Sequence, residues 1–392
     1  MSQWICKCFF GGLMVLVMLG TVPVQADWET KWSNGFKFDN KEENLSLKIG
    51  GRLMADFAFF DEDDELSGAG FDDGAEFRRA RLYASGTFYD KITFKAQYEF
   101  TGGDVGARDL YIGLINLGSV DSLLFGHMFE PFGLEQLTSS KYITFLERAL
   151  PVEAFVPGRN TGVRAWGVED RWSWDVGAFF DADDTGDTTG DEINLTGRLT
   201  FLPYYESDTR LFHLGVGVTD RSPVDDGLRL RSRPEAHLSP RVVNTDFFAA
   251  QELLIYNLEA ALVRGPWSFQ GEWYQASADT LSGADPDFDG FYVYGSYFLT
   301  GEHRSYDGNH FGRTKPANPF GKGGGGAWEV AVRFSSLDLS DAGVRGGEVD
   351  DVTLALNWYP LSNVRWMLNY VQSDIDGVGD VDVIQTRFHV DF

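Results

Sequence analysis

The sequence predicts an all-β chain: a sixteen-stranded antiparallel transmembrane β-barrel with loops folded inward. Three observations predict it. Hydropathy alternates with a period close to two along most of the chain. Many alternating segments run to roughly ten residues, the length of a tilted membrane strand. Beyond the first 26 residues no stretch reaches about 18 consecutive apolar residues, which excludes ordinary membrane helices. A β-sandwich also alternates, but its strands are usually shorter. Aromatic residues make up 15% of the chain, with Phe 32, Tyr 15 and Trp 11. A membrane barrel places such residues in girdles at its two interfaces.

Residues 1–26 read as an export signal. Lys7 supplies the positive start, Phe9 to Gly20 the apolar stretch, and Val24 to Ala26 a small-residue cleavage site. The apolar stretch is too short to be an anchor. Both cysteines, Cys6 and Cys8, lie inside the signal, so the mature chain has no disulfide, thiolate metal site or cysteine nucleophile. Residues 27–44 follow as an N-terminal segment on the periplasmic side, and 45–392 as the barrel.

Strands are expected near 45–59, 77–89, 91–101, 107–116, 121–129, 160–168, 171–181, 193–203, 210–220, 251–263, 267–278, 289–300, 327–338, 350–359, 363–374 and 381–392. In the first, Leu45, Leu47, Ile49, Leu53, Ala55, Phe57 and Phe59 share one face, while Ser46, Lys48, Arg52 and Asp56 share the other. In "PWSFQGEWYQ", Trp267, Phe269 and Trp273 oppose Ser268, Gln270 and Glu272. The chain closes on "VIQTRFHVDF" with Phe392 last, a terminal aromatic that resembles the assembly signal of bacterial outer-membrane barrels. The even strand number fits a bacterial single-chain barrel. It also decides one ambiguity: "LRLRSRP" alternates like a strand, but counting it would make the total odd. It is assigned to a long outer loop over 221–250.

Other long connections fall at 61–75, 130–158, 182–192 and 301–326, and long loops in compact proteins are usually functional. The last is unusual, because the strand count puts it on the periplasmic side, where turns are normally short. Sixteen strands enclose an aqueous lumen that an inward loop can narrow.

The formal net charge of −26 becomes −27 when Lys7 leaves with the signal. So acidic a chain is a poor partner for nucleic acid. Neither H-E-x-x-H nor G-x-S-x-G occurs, and "GKGGGG" (Gly321 to Gly326) lacks the Walker spacing. No enzyme, cofactor or metal assignment follows. "DADDTGDTTGDE" (Asp181 to Glu192) has partial calcium-loop spacing, but strands rather than helices flank it, so it reads as a solvated acidic loop.

Against this acidity, Arg229, Arg231 and Arg233 stand in a row at alternate positions. Two readings are open. The row lines a pore and passes an anion between adjacent weak sites, guanidinium being matched to phosphate oxygens. Or it tethers the loop by pairing with Asp225, Asp226 or Glu235. Inward-facing Asp56, Glu99, Glu272 and Glu329 weigh against strong anion selectivity.

The stretches "EPFGLEQLTSS" (Glu130 to Ser140), "TFLER" (Thr144 to Arg148), "PGRNTGV" (Pro157 to Val163), "RSRPE" (Arg231 to Glu235), "GAWEVAVRFS" (Gly326 to Ser335) and "LNWYPLSNVRWMLNYV" (Leu356 to Val371) resemble the phosphate-selective porin family. The resemblance runs from about Leu45 to Phe392. It implies a homotrimeric outer-membrane channel for phosphate or other small anions, narrowed by inward loops. It also implies an arginine ladder with lysines: Arg229, Arg231 and Arg233, then Arg79 and Arg81 of "FRRAR", and Lys141, Arg148 and Arg159 in the fifth-strand loop. Arg79 and Arg81 have a second reading, as wall residues bracing an inward loop. The acidic outer loops are expected to share divalent ions with lipopolysaccharide. A general or sugar-acid channel on the same scaffold, and a structural or adhesive barrel, remain the alternatives.

Overall fold

The computed structural model describes residues 28–281 and 283–392, so the expected signal lies outside the described residues. The strands, numbered here around the barrel, are β1 (Leu45–Glu62), β2 (Gly74–Phe88), β3 (Ile92–Glu99), β4 (Gly106–Ile115), β5 (Ser122–Phe129) and β6 (Arg159–Val168). They continue as β7 (Trp172–Phe180), β8 (Asn194–Ser207), β9 (Arg210–Arg221), β10 (Phe248–Arg264) and β11 (Trp267–Thr280). The last are β12 (Asp287–Phe298), β13 (Ala327–Asp341), β14 (Val344–Leu361), β15 (Val364–Ile375) and β16 (Gly379–Asp391). Each pairs antiparallel with the next, and β16 returns to β1 from Val381↔Glu62 to Asp391↔Arg52, closing sixteen strands with no free edge. All sixteen expected strands are present. The largest shift is at the start of β14, which meets β13 at a two-residue turn at 342–343 where the sequence suggested a longer connection.

Alternation works as the sequence requires. Along β11, Trp267 and Phe269 stand exposed on the outside, while Ser268, Gln270 and Glu272 are buried inside. The large apolar residues exposed on the wall form the face that meets hydrocarbon.

Residues 28–44 are more ordered than the sequence suggested. Glu29–Trp32 and Phe36–Asn40 form a hairpin, and its second strand pairs with Leu45–Ile49 of β1. This extends the sheet beyond the point where β16 ends. Phe392 seals the junction: the Gly51 N–H donates to the Phe392 carbonyl at 2.7 Å, and the Phe392 N–H to the Gly51 carbonyl at 3.0 Å. A side chain at Gly50 would overlap that carbonyl.

Three long connections fold into the barrel. From the rim opposite the chain termini come 130–158, with short helices α1 (Leu134–Leu137) and α2 (Leu150–Phe155), and 222–247. From the rim that bears the termini comes 299–326. This resolves the unusual length of that connection, since it packs inside instead of hanging below. Phe132, Phe145, Leu150, Val152, Phe155, Leu228, Leu230 and Val243 bury themselves against inward residues of β11–β16, among them Tyr274, Phe288, Tyr292, Val349, Val371 and Val383. Tyr306 and Phe311 of the third loop pack with Leu134, Leu211 and Val263. The side of the interior lined by β10–β16 is therefore an apolar core. Open space remains nearer β2–β7, where the inward Tyr83, Lys95, Tyr111 and Arg164 are only half-buried.

Leu354 is outward and exposed midway along β14. Leu354→Arg is expected to lower stability by about 2–4 kcal/mol, the cost of an arginine on the lipid face near the midplane. Urea unfolding in lipid vesicles checks this; an unchanged midpoint would contradict the assigned outer face.

Candidate functional site

The loop 130–158 is held by carboxylates. Glu272, buried on β11, accepts the Leu134 and Glu135 N–H groups at 2.7 and 2.8 Å. These donors at the start of α1 have no partner within the helix. Tyr274 and Tyr292 donate to the same carboxylate at 2.8 and 2.6 Å. Glu135 accepts the Ala149 N–H at 3.0 Å and pairs with Arg333 at 3.2 Å. Glu147 receives a two-pronged pair from Arg78 at 2.9 and 3.0 Å and a bond from Arg387 at 2.6 Å. Burial alone would raise the Glu147 carboxyl, but Arg78, Arg387 and Arg79 beside it hold it well below the usual carboxylate range. Arg387 also grips Asp56 of β1 at 2.7 and 2.6 Å.

"FRRAR" delivers three arginines to the interior, not the two that alternation allows. Met54 opposes Arg79 and Ala55 opposes Phe77, so Arg78 is the extra residue of a β-bulge. The bulge turns Arg78 inward to Glu147 while Phe77 remains outside. Arg79 lies 4.0 Å from Glu147, and Arg81 pairs with Glu99 at 2.5 Å. These wall arginines brace a loop and a neighbouring strand, the plainer of their two readings. Arg148 is structural as well. It donates to the carbonyls of Glu135, Gln136 and Thr138 at 3.1–3.2 Å, closing the loop around α1.

The loop 222–247 is pinned by Glu235. Its carboxylate accepts from Arg333 at 2.8 Å, Ser335 at 2.6 Å and Thr353 at 2.5 Å. Gln385 donates to its carbonyl at 2.6 Å. Upstream of this pin the chain is extended: Leu228, Leu230 and Ser232 are buried, while Arg229, Arg231 and Arg233 are half-buried between them. Arg229 donates to Asn244 at 2.8 Å and stacks over Phe247. Among the described residues Arg231 makes no side-chain hydrogen bond or ion pair. Arg233 pairs with Glu153 at 3.2 Å and donates to the His237 carbonyl. The tethers expected for the row do not form: Asp225 and Asp226 pair with none of it, and Glu235 turns to Arg333 instead.

Arg229 and Arg231 line a polar cavity of about 520 Å³ together with Arg159 and Arg221. Arg233 lines a second, of about 300 Å³, with Arg78, Arg148 and Arg241 against Glu147 and Glu153. On the side toward the chain termini lies another basic group. Lys141 stands 3.9 Å from Asp391, with Arg52, Arg313 and Lys95 around it. Arg159 pairs with Asp109 at 2.8 Å and stacks on Phe129. Burial, reinforced by Arg52 and opposed by Asp391, pushes the Lys141 ammonium down to about 7.

The inward acids that weighed against an anion path are all engaged. Asp56 is held by Arg387, Glu99 by Arg81, Glu272 by α1, and Glu329 by Asn357 and Tyr359 at 3.1 and 2.7 Å. Asp183 of the acidic loop caps its own turn, accepting from Thr185 and Asp187. No set of three or more His, Asp or Glu among the described residues is placed to hold a metal ion. Sequence reasoning missed Arg78, because a bulge breaks the strict alternation that assigns inward residues. It also missed Arg241 and Arg313, isolated cations in loops that only the fold brings inside.

Glu147→Gln is expected to loosen loop 130–158. Losing charged hydrogen bonds worth about 1.5–3 kcal/mol should speed amide exchange there at least tenfold, read by mass spectrometry. Unchanged protection would show that the loop does not depend on this carboxylate.

The family described as "Phosphate-selective porin O and P" matches residues 47–392. An uncharacterized protein of Caulobacter vibrioides is 34% identical over 94% of this chain and 78% of its own length. Porin O of Pseudomonas aeruginosa is 29% identical over 92% of this chain and 90% of its own. In fold, the anion-selective porin from Comamonas acidovorans superposes with a TM-score of 0.57 at 14% identity, covering 89% of this chain and 100% of that one. With its closed barrel and inward loops, the chain belongs to the phosphate-selective porin O and P family and is an outer-membrane porin.

Proposed function

We propose that this porin passes small anions by diffusion, with inorganic phosphate the leading candidate, past a constriction lined by Arg229, Arg231 and Arg233. One observation carries the reading: Arg229 and Arg231 are only half-buried on an inward loop and have no acidic partner among the described residues. Wall arginines such as Arg81, Arg333 and Arg387 spend their charge on carboxylates, whereas these two keep theirs. Two like charges at alternate positions repel, and an anion moving between them relieves that repulsion. Arg159 lines the same cavity as Arg229 and Arg231, and Lys141 extends the positive field toward the other rim; Arg79 and Arg148 contribute by holding the loop, and Arg81 by bracing β3 beside it. The working form is the homotrimer that the resemblance implies, with both termini on the periplasmic side, the signal removed and the acidic outer loops facing lipopolysaccharide.

Pairing of Arg233 and Arg241 with Glu153 favours a second reading, a general channel of the same scaffold with mild anion preference. Planar-bilayer conductance separates the two. Chloride current that saturates and is blocked by phosphate supports the first; linear, unblocked current supports the second. Replacing Arg229, Arg231 and Arg233 by alanine should raise the half-blocking phosphate concentration by at least about tenfold, the loss expected for one charged hydrogen bond of about 1.5–3 kcal/mol. An unaltered block would remove the ladder assignment.

A pH effect follows from Lys141. The ammonium is charged below about 7 and neutral above it. Anion preference should therefore fall as pH rises from about 6 to 8, read as a shift in reversal potential. Lys141→Arg should flatten the profile at its low-pH level, and Lys141→Gln at its high-pH level. A wild-type potential that does not move would place the titration elsewhere.

A further inference from the structure

The outer wall carries a feature that anion passage does not use. Across β9–β13 the lipid-facing surface sinks into an apolar groove of about 1110 Å³. Small outward residues make its floor: Ala260 of β10 lies directly opposite Gly271 of β11, with Gly295 of β12 on the diagonal. Large side chains such as Leu262, Phe269 and Phe334 stand around it. Where a barrel outer wall is not covered by a second copy it meets acyl chains at this depth, so a depression here is a place for one of them.

The rim below the groove is charged. Arg210 of β9 and Arg264 of β10 are direct cross-strand partners, both outward and exposed. Like charges directly opposite on a sheet destabilise it unless something compensates. Glu206 compensates only one of them, at 3.3 Å from Arg210. Arg264 has no ion pair among the described residues. The same row continues through Trp267 and Tyr297, whose rings lie 4.4 Å apart, residues suited to the headgroup level. Four residues of strand separate Arg264 from Ala260, about 13 Å, so a phosphate on the arginines would send its acyl chain along the groove. A second outer groove, around Trp328, Trp358 and Trp366, is apolar too, but Arg365 in its lining is buried and donates inward to the Ile143 carbonyl. Charge at the rim distinguishes the first groove.

We infer that β9–β13 seat one anionic glycerophospholipid, its phosphate on Arg264 and Arg210 and one acyl chain over Ala260, Gly271 and Gly295. The lipid belongs to the leaflet on the side of the chain termini. The test is native mass spectrometry of the intact porin, extracted in mild detergent and re-supplied with phosphatidylglycerol. The wild type should retain one such lipid per chain in preference to phosphatidylethanolamine. Arg264→Gln should reduce retention about fivefold, the share of one basic residue at an anionic surface. Ala260→Leu should displace the acyl chain and reduce retention comparably. Both variants should keep wild-type conductance and heat-modifiable gel mobility, which shows that the barrel is folded. Equal retention in all three proteins, no preference between the two lipids, or cross-linking of Trp273→Cys to a second copy across this face would overturn the inference.

Discussion

Everything inside this barrel depends on how a carboxylate is satisfied once it leaves water. Burying an unpaired charge costs several kcal/mol, so each inward acid must find guanidinium, amide or phenol donors. Glu272 finds the start of α1, Glu147 finds Arg78 and Arg387, and Glu235 finds Arg333. In each case the partner comes from a different part of the chain, so satisfying the acid also fixes a loop to the wall. The acidity that looked hostile to an anion path is, in the interior, what fastens the inward loops to the wall.

The same pairing divides the interior. Where loops dock on β10–β16, apolar side chains close over the ion pairs and exclude water. Opposite, along β3–β7, the inward Lys95, Tyr111 and Arg164 are only half-buried, and cations outnumber acids around Lys141. Arg229 and Arg231 face open cavity space, because the buried Leu228 and Leu230 turn the alternate side chains toward it. The arginine row therefore has the geometry of a strand without being part of the wall.

Much of this was legible in the sequence. Period-two alternation locates all sixteen strands, and the even-number rule assigns the arginine row to a loop. Strand ends were less legible, because β13 and β14 project past the membrane with mixed polarity and only their pairing extends them. The hairpin 29–40 was invisible, since its short strands are defined by contact with β1. At the site, the types of residue were readable and their partners were not. Nothing local links Glu147 to Arg387 or Glu235 to Arg333, which are long-range contacts set by barrel closure. The bulge at Arg78 breaks the period on which the reading relied, and so it hid an arginine that grips the loop with two bonds.

One guanidinium joins two events in the life of the chain. Arg387, on the last strand, bonds to Asp56 on the first and to Glu147 on the inward loop 130–158. The final strand must arrive before that loop can acquire its full set of ties. An unfinished barrel would thus carry a loose inner loop as well as an open seam, and the interior would set at the moment the wall becomes watertight.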